Sequence, residues 1–316
     1  SMDRDGKASR LLSPVIDGAV TDTDMAALLM IALCEKATGR RKPLEKAQLL
    51  VGMSQGLTKV ERDALMQALR MTGAKRPVLV KTPLAAALGA GMKIDAPRGA
   101  MVAVLGGGVT EIAVISMGAI VAARSMRTGS LSMDEAVARY LRREKGVLIG
   151  LATAEDLKCD IGSASLPEAE DVPDADVPET EDADETIAQE TPAEPVGESA
   201  LLKGRDAKTG KVATVTVTTR DIALALREPV GILIDALSDA ISRVPPDLAA
   251  DVADTGICLS GGGALLQGLA PLLAEKTGVP VWVSDHPHED VILGLGMLAE
   301  DERLLRLALD AGAAME

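Results

Sequence analysis

Phenylalanine is absent from this 316-residue sequence, which has one tyrosine, Tyr140, and one tryptophan, Trp282. With aromatics at 1% and hydrophobic residues at 47%, a core has to be built from Leu, Val, Ile, Ala and Met. A nucleic-acid reader that stacks bases on aromatic rings is excluded on the same count. Cysteine is scarce as well: Cys34, Cys159 and Cys258 stand apart, without disulfide or metal-ligand spacing, which points to a reduced, cytoplasmic setting. No apolar run approaches the ~20 residues that cross a bilayer, and no signal-peptide core is present. The two histidines, His286 and His288, share one polar segment around a proline and have no distant third ligand, so a plain loop is favoured over a metal site.

Basic residues are outnumbered, 33 against 47 acidic ones, for a net charge of −14. The imbalance is local. Residues 167–199 carry thirteen acids and no Lys or Arg, leaving 34 of the 47 acids to face 33 bases elsewhere. The body of the chain is therefore close to neutral, and steering of polyanions by a global positive field is excluded. The acid- and Pro-rich run cannot bury enough apolar surface to order itself and reads as a disordered insertion.

Two glycine-rich turns organise the rest. In 101–116, MVAVLGGGVTEIAVIS, two apolar, β-branched runs meet at Gly106, Gly107 and Gly108, the pattern of a buried hairpin. Such a turn serves as a ligand-free reversal, or its backbone N–H groups form a concave nest for phosphate oxygens. A second copy lies in 256–269, GICLSGGGALLQGL, where a strand runs into Gly261, Gly262 and Gly263 and a helix follows. Two strand-to-glycine turns in one chain suggest two walls of a nucleotide cleft.

With the segments PVIDGAVTD (14–22), TKVERDAL (58–65), TPLAAALGAG (82–91), TGSLSMDEAV (128–137), LIGLATAEDLKCDIGSA (148–164) and LSGGGALL (259–266), these turns resemble the bacterial actin-like rod-shape proteins, MreB and Mbl, in family order over nearly the whole chain. The resemblance implies an α/β, actin-like (ribonuclease H-like) two-lobed fold. It places the remnant of an incomplete first domain at 14–98 after a loose tail at 1–13, the second domain at 99–290, and a C-terminal helix at 291–316 packing back on the first. The family's first three strands and their Asp-x-Gly-Thr phosphate loop have no counterpart before Pro14. The parallel sheet of the first domain is then expected to be two strands wide, leaving Leu49–Met53 with an open edge.

The resemblance also assigns roles. Gly106, Gly107 and Gly108 would take phosphates, Gly261, Gly262, Gly263 and Ala264 the adenine side, and Glu155 and Lys158 would bracket ribose and base. At i and i+3 on a helix, those two equally make an ordinary ion pair. Where the family carries a Mg²⁺-holding Asp and a water-positioning Thr, this sequence has Val104 and Val109. A valine neither coordinates a hard cation nor accepts a hydrogen bond. Thr110 and the water-orienting Glu61 remain as vestiges, and Glu61 reads equally as a solvated surface carboxylate that has lost its partners.

The expectation is a cytoskeletal protein of cell shape or wall synthesis that assembles with itself, through the Leu49–Met53 edge, or with an intact MreB-like relative. ATP or ADP is expected to bind weakly, with Mg²⁺ in doubt, no metal site in the protein, and hydrolysis lost, so that the chain is no enzyme. The alternatives are an active ATPase of the actin superfamily and a non-filament adaptor that uses the acidic insertion. The basic loop Arg40-Arg41-Lys42 offers at most a weak, salt-sensitive contact with anionic lipid.

Overall fold

The computed structural model describes residues 13–41, 44, 45, 47–166 and 197–315. The expected tail over 1–13 and the acidic insertion over 167–199 lie outside them, apart from residues 13 and 197–199. The chain divides into two compact units: Ser1–Ser132 with Gly231–Leu265 and Ala270–Glu316, and Met133–Val230 with Leu266–Leu269.

The first unit opens with a two-strand hairpin, β1 (Val15–Ile16) and β2 (Ala19–Val20). Its turn, Asp17-Gly18, has φ of 49° and 75°, the left-handed pair that a two-residue hairpin turn needs and that Asp-Gly supplies. Helix α1 (Thr23–Thr38) is capped by Asp22, whose carboxylate accepts the Met25 N–H at 2.9 Å, and stops at left-handed Gly39. It buries Ala26 and Ala27 and leaves Leu28, Leu29 and Leu33 exposed.

Next come β3 (Gln48–Met53), α2 (Lys59–Met71), β4 (Arg76–Lys81) and α3 (Thr82–Gly89). Strand β3 pairs in parallel with β4. The sheet here is three strands wide, not two, because the short β13 (Ala314–Met315) returns antiparallel to β4. Two residues near the chain's end are too short a run to be read as a strand from sequence. The outer edge of β3 is open among the described residues, as expected. Helix α2 carries Leu65 and Leu69 inward, while Val60, in its first turn, is 78% exposed.

A five-stranded sheet forms the centre of this unit, in the order β12-β11-β5-β6-β7. Strands β5 (Ala100–Leu105) and β6 (Thr110–Ser116) form the glycine hairpin, and β7 (Ala119–Met126) continues it antiparallel. All six residues of β5 are buried, which explains its unbroken apolar run: both faces of the sheet are covered. Strand β11 (Ile257–Ser260) lies parallel to β5 on one side and to β12 (Val281–Val283) on the other. In β12, Trp282 is 37% exposed and donates its indole N–H to the Thr255 carbonyl at 3.3 Å.

The end of the chain forms two helices where one was expected over 291–316. These are α9 (Asp290–Glu300) and α10 (Glu302–Asp310), separated by Asp301, which leaves helical geometry so that its carboxylate can cap the N–H groups of Arg303 and Leu304. Helix α9 packs on α3, and Val80, Leu84, Val102, Ile115, Cys258 and Leu298 share one apolar cluster. Burial, with Asp290 nearby, pushes the Cys258 thiol up to about 12.

The second unit holds most of α4 (Ser130–Glu144), then β8 (Val147–Leu148), α5 (Leu151–Ile161), β9 (Ser199–Asp206), β10 (Val212–Thr218) and the first half of α6 (Thr219–Ser242). The three strands form an antiparallel sheet in the order β10-β9-β8. Leu202 and Val217 face inward while Leu201 and Val212 face outward, the alternation of a sheet with one covered side. The remaining helices, α7 (Pro246–Thr255) and α8 (Leu269–Thr277), flank β11 in the chain.

Candidate functional site

The two glycine turns lie side by side. Strands β5 and β11 are parallel neighbours, with Ser260 opposite Val104, and each runs into its turn at the same end of the sheet. In open parallel sheets, ligands gather at the carboxyl ends of such strands. Gly261 has φ of 83° and rests on the backbone of Leu105, where a side chain would collide with the Leu105 carbonyl oxygen. Its N–H donates to the Pro287 carbonyl at 2.7 Å. Gly262 lies under the imidazole of His288, and Ala264 is buried in the 3₁₀ turn Gly262–Leu265.

In the first turn the polar groups are sorted by direction. The Gly106 N–H closes the turn on the Val109 carbonyl at 3.0 Å. The carbonyls of Gly106 and Gly107 accept from Ser130 and Leu131 at 2.9 Å each, at the start of α4. Among the described residues, the N–H groups of Gly107 and Gly108 donate to no backbone carbonyl. The turn thus commits its acceptors to the protein and keeps donors available, which is what an anion nest requires. The tip of the β1-β2 hairpin packs against this turn: a Cβ on Gly108 would lie 2.9 Å from Asp17 Oδ1, and one on Gly18 would lie 3.1 Å from Val109 Cγ2.

Val104 is buried within the apolar cluster that includes Val102 and Leu298, so its side chain serves packing. Among the described residues, no group of three or more His, Cys, Asp or Glu side chains is placed to hold a metal ion. The residues present fit a nucleotide's phosphates through N–H donors; a magnesium ion bound there would take its remaining oxygens from the nucleotide and from water.

Behind the turn, Glu111 is a buried carboxylate, 4% exposed, to which the sequence alone assigns no role. It accepts the Gln55 N–H at 2.5 Å and the Ser54 hydroxyl at 3.1 Å, and the Thr82 side chain adds a further bond. Desolvation outweighs these and raises its pKa. Thr110, next to it, is buried too.

Glu61 has kept partners, contrary to the reading of a solvated carboxylate. As the third residue of α2 it closes a capping box with Thr58: its Oε2 accepts the Thr58 N–H and the Thr58 hydroxyl, both at 2.9 Å. Its Oε1 accepts from Arg127 Nη2 at 2.5 Å. The Thr58 backbone bond and then the Arg127 contact hold its pKa down to about 2. Arg127 carried no signal in the sequence, since nothing in the spacing links it to a residue 66 positions earlier.

In the second unit, Glu155 and Lys158 lie on α5, with Glu155 exposed. Lys158 reaches Asp134 of α4, Nζ to Oδ1 at 2.6 Å, with the two side chains 10% and 1% exposed. Beyond its i, i+3 spacing to Glu155, Lys158 thus forms a buried ion pair between helices. Burial raises the Asp134 pKa, and Lys158 opposes that rise.

The model of the family described as MreB/Mbl protein matches residues 4–181 and 176–306. The chain belongs to the MreB/Mbl family. It is 34% identical to the cell shape-determining protein Mbl of Bacillus subtilis (strain 168) over 92% of this chain and 79% of that protein. It is also 34% identical to the cell shape-determining protein MreB of Escherichia coli (strain K12), over 92% and 76%. Among solved structures, MreB5 of Spiroplasma citri bound to AMPPNP superposes with a TM-score of 0.80 at 26% identity, covering 96% of this chain and 82% of that one. The same protein bound to ADP gives 0.78. A MamK double helical filament, at 18% identity and a TM-score of 0.69, shows the actin-like fold alone.

The expectation that the chain is no enzyme is corrected by these findings. Its family is one of actin-like ATPases, and the two MreB5 structures carry nucleotides. That expectation rested on an Asp-x-Gly-Thr phosphate loop without a counterpart before Pro14, together with Val104 and Val109 in place of the metal-holding and water-positioning residues. Phosphoryl transfer rests on positioning and distributed charge stabilisation, and the glycine turn and a partnered Glu61 are both in place.

Proposed function

We propose that this chain binds and hydrolyses ATP as an actin-like cytoskeletal protein of cell shape, working through self-assembly. The observation that carries this is the pairing of the two glycine turns at the same ends of neighbouring strands β5 and β11, with the donors of Gly107 and Gly108 uncommitted to the backbone. Gly106–Gly108 take the phosphates, Gly261–Ala264 the adenine side, Glu155 and Lys158 the ribose and base, and Glu61 with Thr110 the attacking water. ATP supplies the leaving group and the energy; the residues bind, orient and hold that water. The relatives named as cell shape-determining supply the cellular role.

In this reading residues 14–98 and 291–316 form the first actin-like domain and 99–290 the second. The open edge of β3 at Leu49–Met53 is the self-association surface, where unpaired strand groups accept another chain. Exposed Arg40 and Arg41 add a weak attraction to anionic membrane; Lys42 lies outside the described residues. Among the described residues no helix is long and apolar enough to cross a membrane.

The test is turnover of Mg-ATP by the purified chain, with electron microscopy of the same samples. We expect phosphate release that Gly107→Asp abolishes, because a carboxylate there repels the phosphates, and ATP-dependent polymers. No release above the variant's level overturns the enzymatic reading, and monomers at micromolar concentration by light scattering overturn the assembly surface.

A further inference from the structure

Arg127 sits at an unusual junction. It follows directly on Met126, the last residue of β7, which pairs with Thr110 at the exit of the glycine turn. Two residues later, Gly129 presses so closely on the carbonyl oxygens of Gly106 and Gly107 that any side chain there would overlap both. Ser130 and Leu131 then donate to those same carbonyls. The main chain on both sides of Arg127 is therefore fastened to the turn read as the phosphate nest.

The side chain points the other way, to Glu61 at 2.5 Å. Exposed ion pairs are commonly loose, since two long side chains must be ordered for one contact. Here one end is ordered beforehand: the other oxygen of Glu61 is held by both the N–H and the hydroxyl of Thr58. The Glu61 side chain is 21% exposed against 54% for Arg127, so the carboxylate is the sheltered partner and the guanidinium approaches from solvent. A capping box alone fixes one carboxylate oxygen; the guanidinium fixes the second and with it the plane of the group.

We propose that Arg127 is the positioning residue for the Glu61 carboxylate, and that it does so as part of a main-chain strap fastened to the glycine turn. The proposal rests on the reading that Glu61 serves the attacking water. It gives the chain a direct mechanical line from the turn, through residues 126–131, to the first turn of α2. Misplacing a catalytic group by about 1 Å costs on the order of a hundredfold in rate. A positioning residue therefore shows in kcat, whereas a phosphate ligand shows in KM.

The experiment compares Arg127→Ala, Arg127→Gln and Arg127→Lys with the unaltered chain in two measurements. The first is amide hydrogen exchange over residues 58–62 without nucleotide. We expect it to speed up several-fold in Arg127→Ala and Arg127→Gln while β5 and β6 keep their protection. The second is Mg-ATP turnover, where we expect kcat to fall by about tenfold or more with KM within about twofold, and Arg127→Lys to recover part of the loss in both measurements. Unchanged exchange at 58–62 together with unchanged kcat overturns the proposal. So does a rise in KM at constant kcat, which makes Arg127 a nucleotide ligand, or a loss of protection throughout β5 and β6, which makes it a fold residue. If the unaltered chain turns over no ATP, the functional reading falls, and the exchange measurement still decides whether Arg127 holds Glu61.

Discussion

Gly294 of α9 lies against the backbone of Ala85 in α3, so close that a methyl group on it would overlap the Ala85 carbonyl oxygen. One turn further along α3 and one turn back along α9, Gly89 stands in the same relation to the carbonyl of Asp290. The two helices meet main chain to main chain, each lending a glycine to the other. Gly294→Ala gains helix propensity yet must force the pair apart, and forced overpacking costs about 1–3 kcal/mol. We expect a fall in the thermal midpoint of several degrees; a midpoint equal to or above that of the unaltered chain refutes the close approach.

The buried Glu111 makes stability depend on pH. Its folded pKa is raised above the ordinary 4.5 by burial, so the folded protein holds the proton more tightly than the unfolded chain does. The cost of ionising it in place grows as pH climbs from 4.5 through the raised folded value, and is fully present above it. Glu111→Gln keeps a carbonyl for the Gln55 N–H and removes that cost, so urea midpoints at pH 5 and pH 7 should differ less in the variant. Glu111→Ala leaves the Gln55 N–H and the Ser54 hydroxyl without their partner, at about 1–3 kcal/mol.

Glu61 runs the opposite way. Its folded pKa of about 2 is below the ordinary 4.5, so its contribution is present above 4.5 and disappears as pH falls towards 2. A carbon-13 carboxyl titration should place its midpoint near 2. Because the Thr58 N–H and hydroxyl bonds remain, Arg127→Gln should raise the midpoint only part of the way towards 4.5; full recovery in that single variant shows that Thr58 does not hold the carboxylate ionised.

Gly129 offers a test of the glycine turn that touches no proposed ligand contact. Any side chain there strikes the carbonyls of Gly106 and Gly107 and twists the nest out of shape. Gly129→Val should weaken binding of a fluorescent ADP analogue by about tenfold or more, as the loss of well-placed donors does. Binding at unaltered affinity removes the turn from the nucleotide site.

Local chemistry was legible in the sequence wherever one segment contains its own explanation. The three glycines between two apolar runs announce the β5-β6 hairpin. What depends on distant partners was not. Strand β13 exists only because β4 offers it a ladder. The same holds at the site. Glu155 and Lys158 satisfy helical spacing, but the stronger attraction for Lys158 is Asp134, buried on another helix, and Glu61 looked solitary because its partner lies 66 residues away. Val104 and Val109 stand for lost side-chain chemistry, but the backbone donors of the turn, which no substitution at those positions removes, remain beside them.

The single tryptophan turns the unaltered chain into its own optical probe. With no phenylalanine and one tyrosine besides, near-ultraviolet emission excited at the red edge comes from one indole, that of Trp282 in β12, half open to water and tied to the Thr255 carbonyl. A colour shift on adding nucleotide or on polymerisation reports events at the β11-β12 margin of the central sheet, with no label to attach and no second emitter to subtract. The same scarcity makes absorbance at 280 nm a faint measure of this protein, so its concentration is better read from peptide-bond absorbance or amino-acid content.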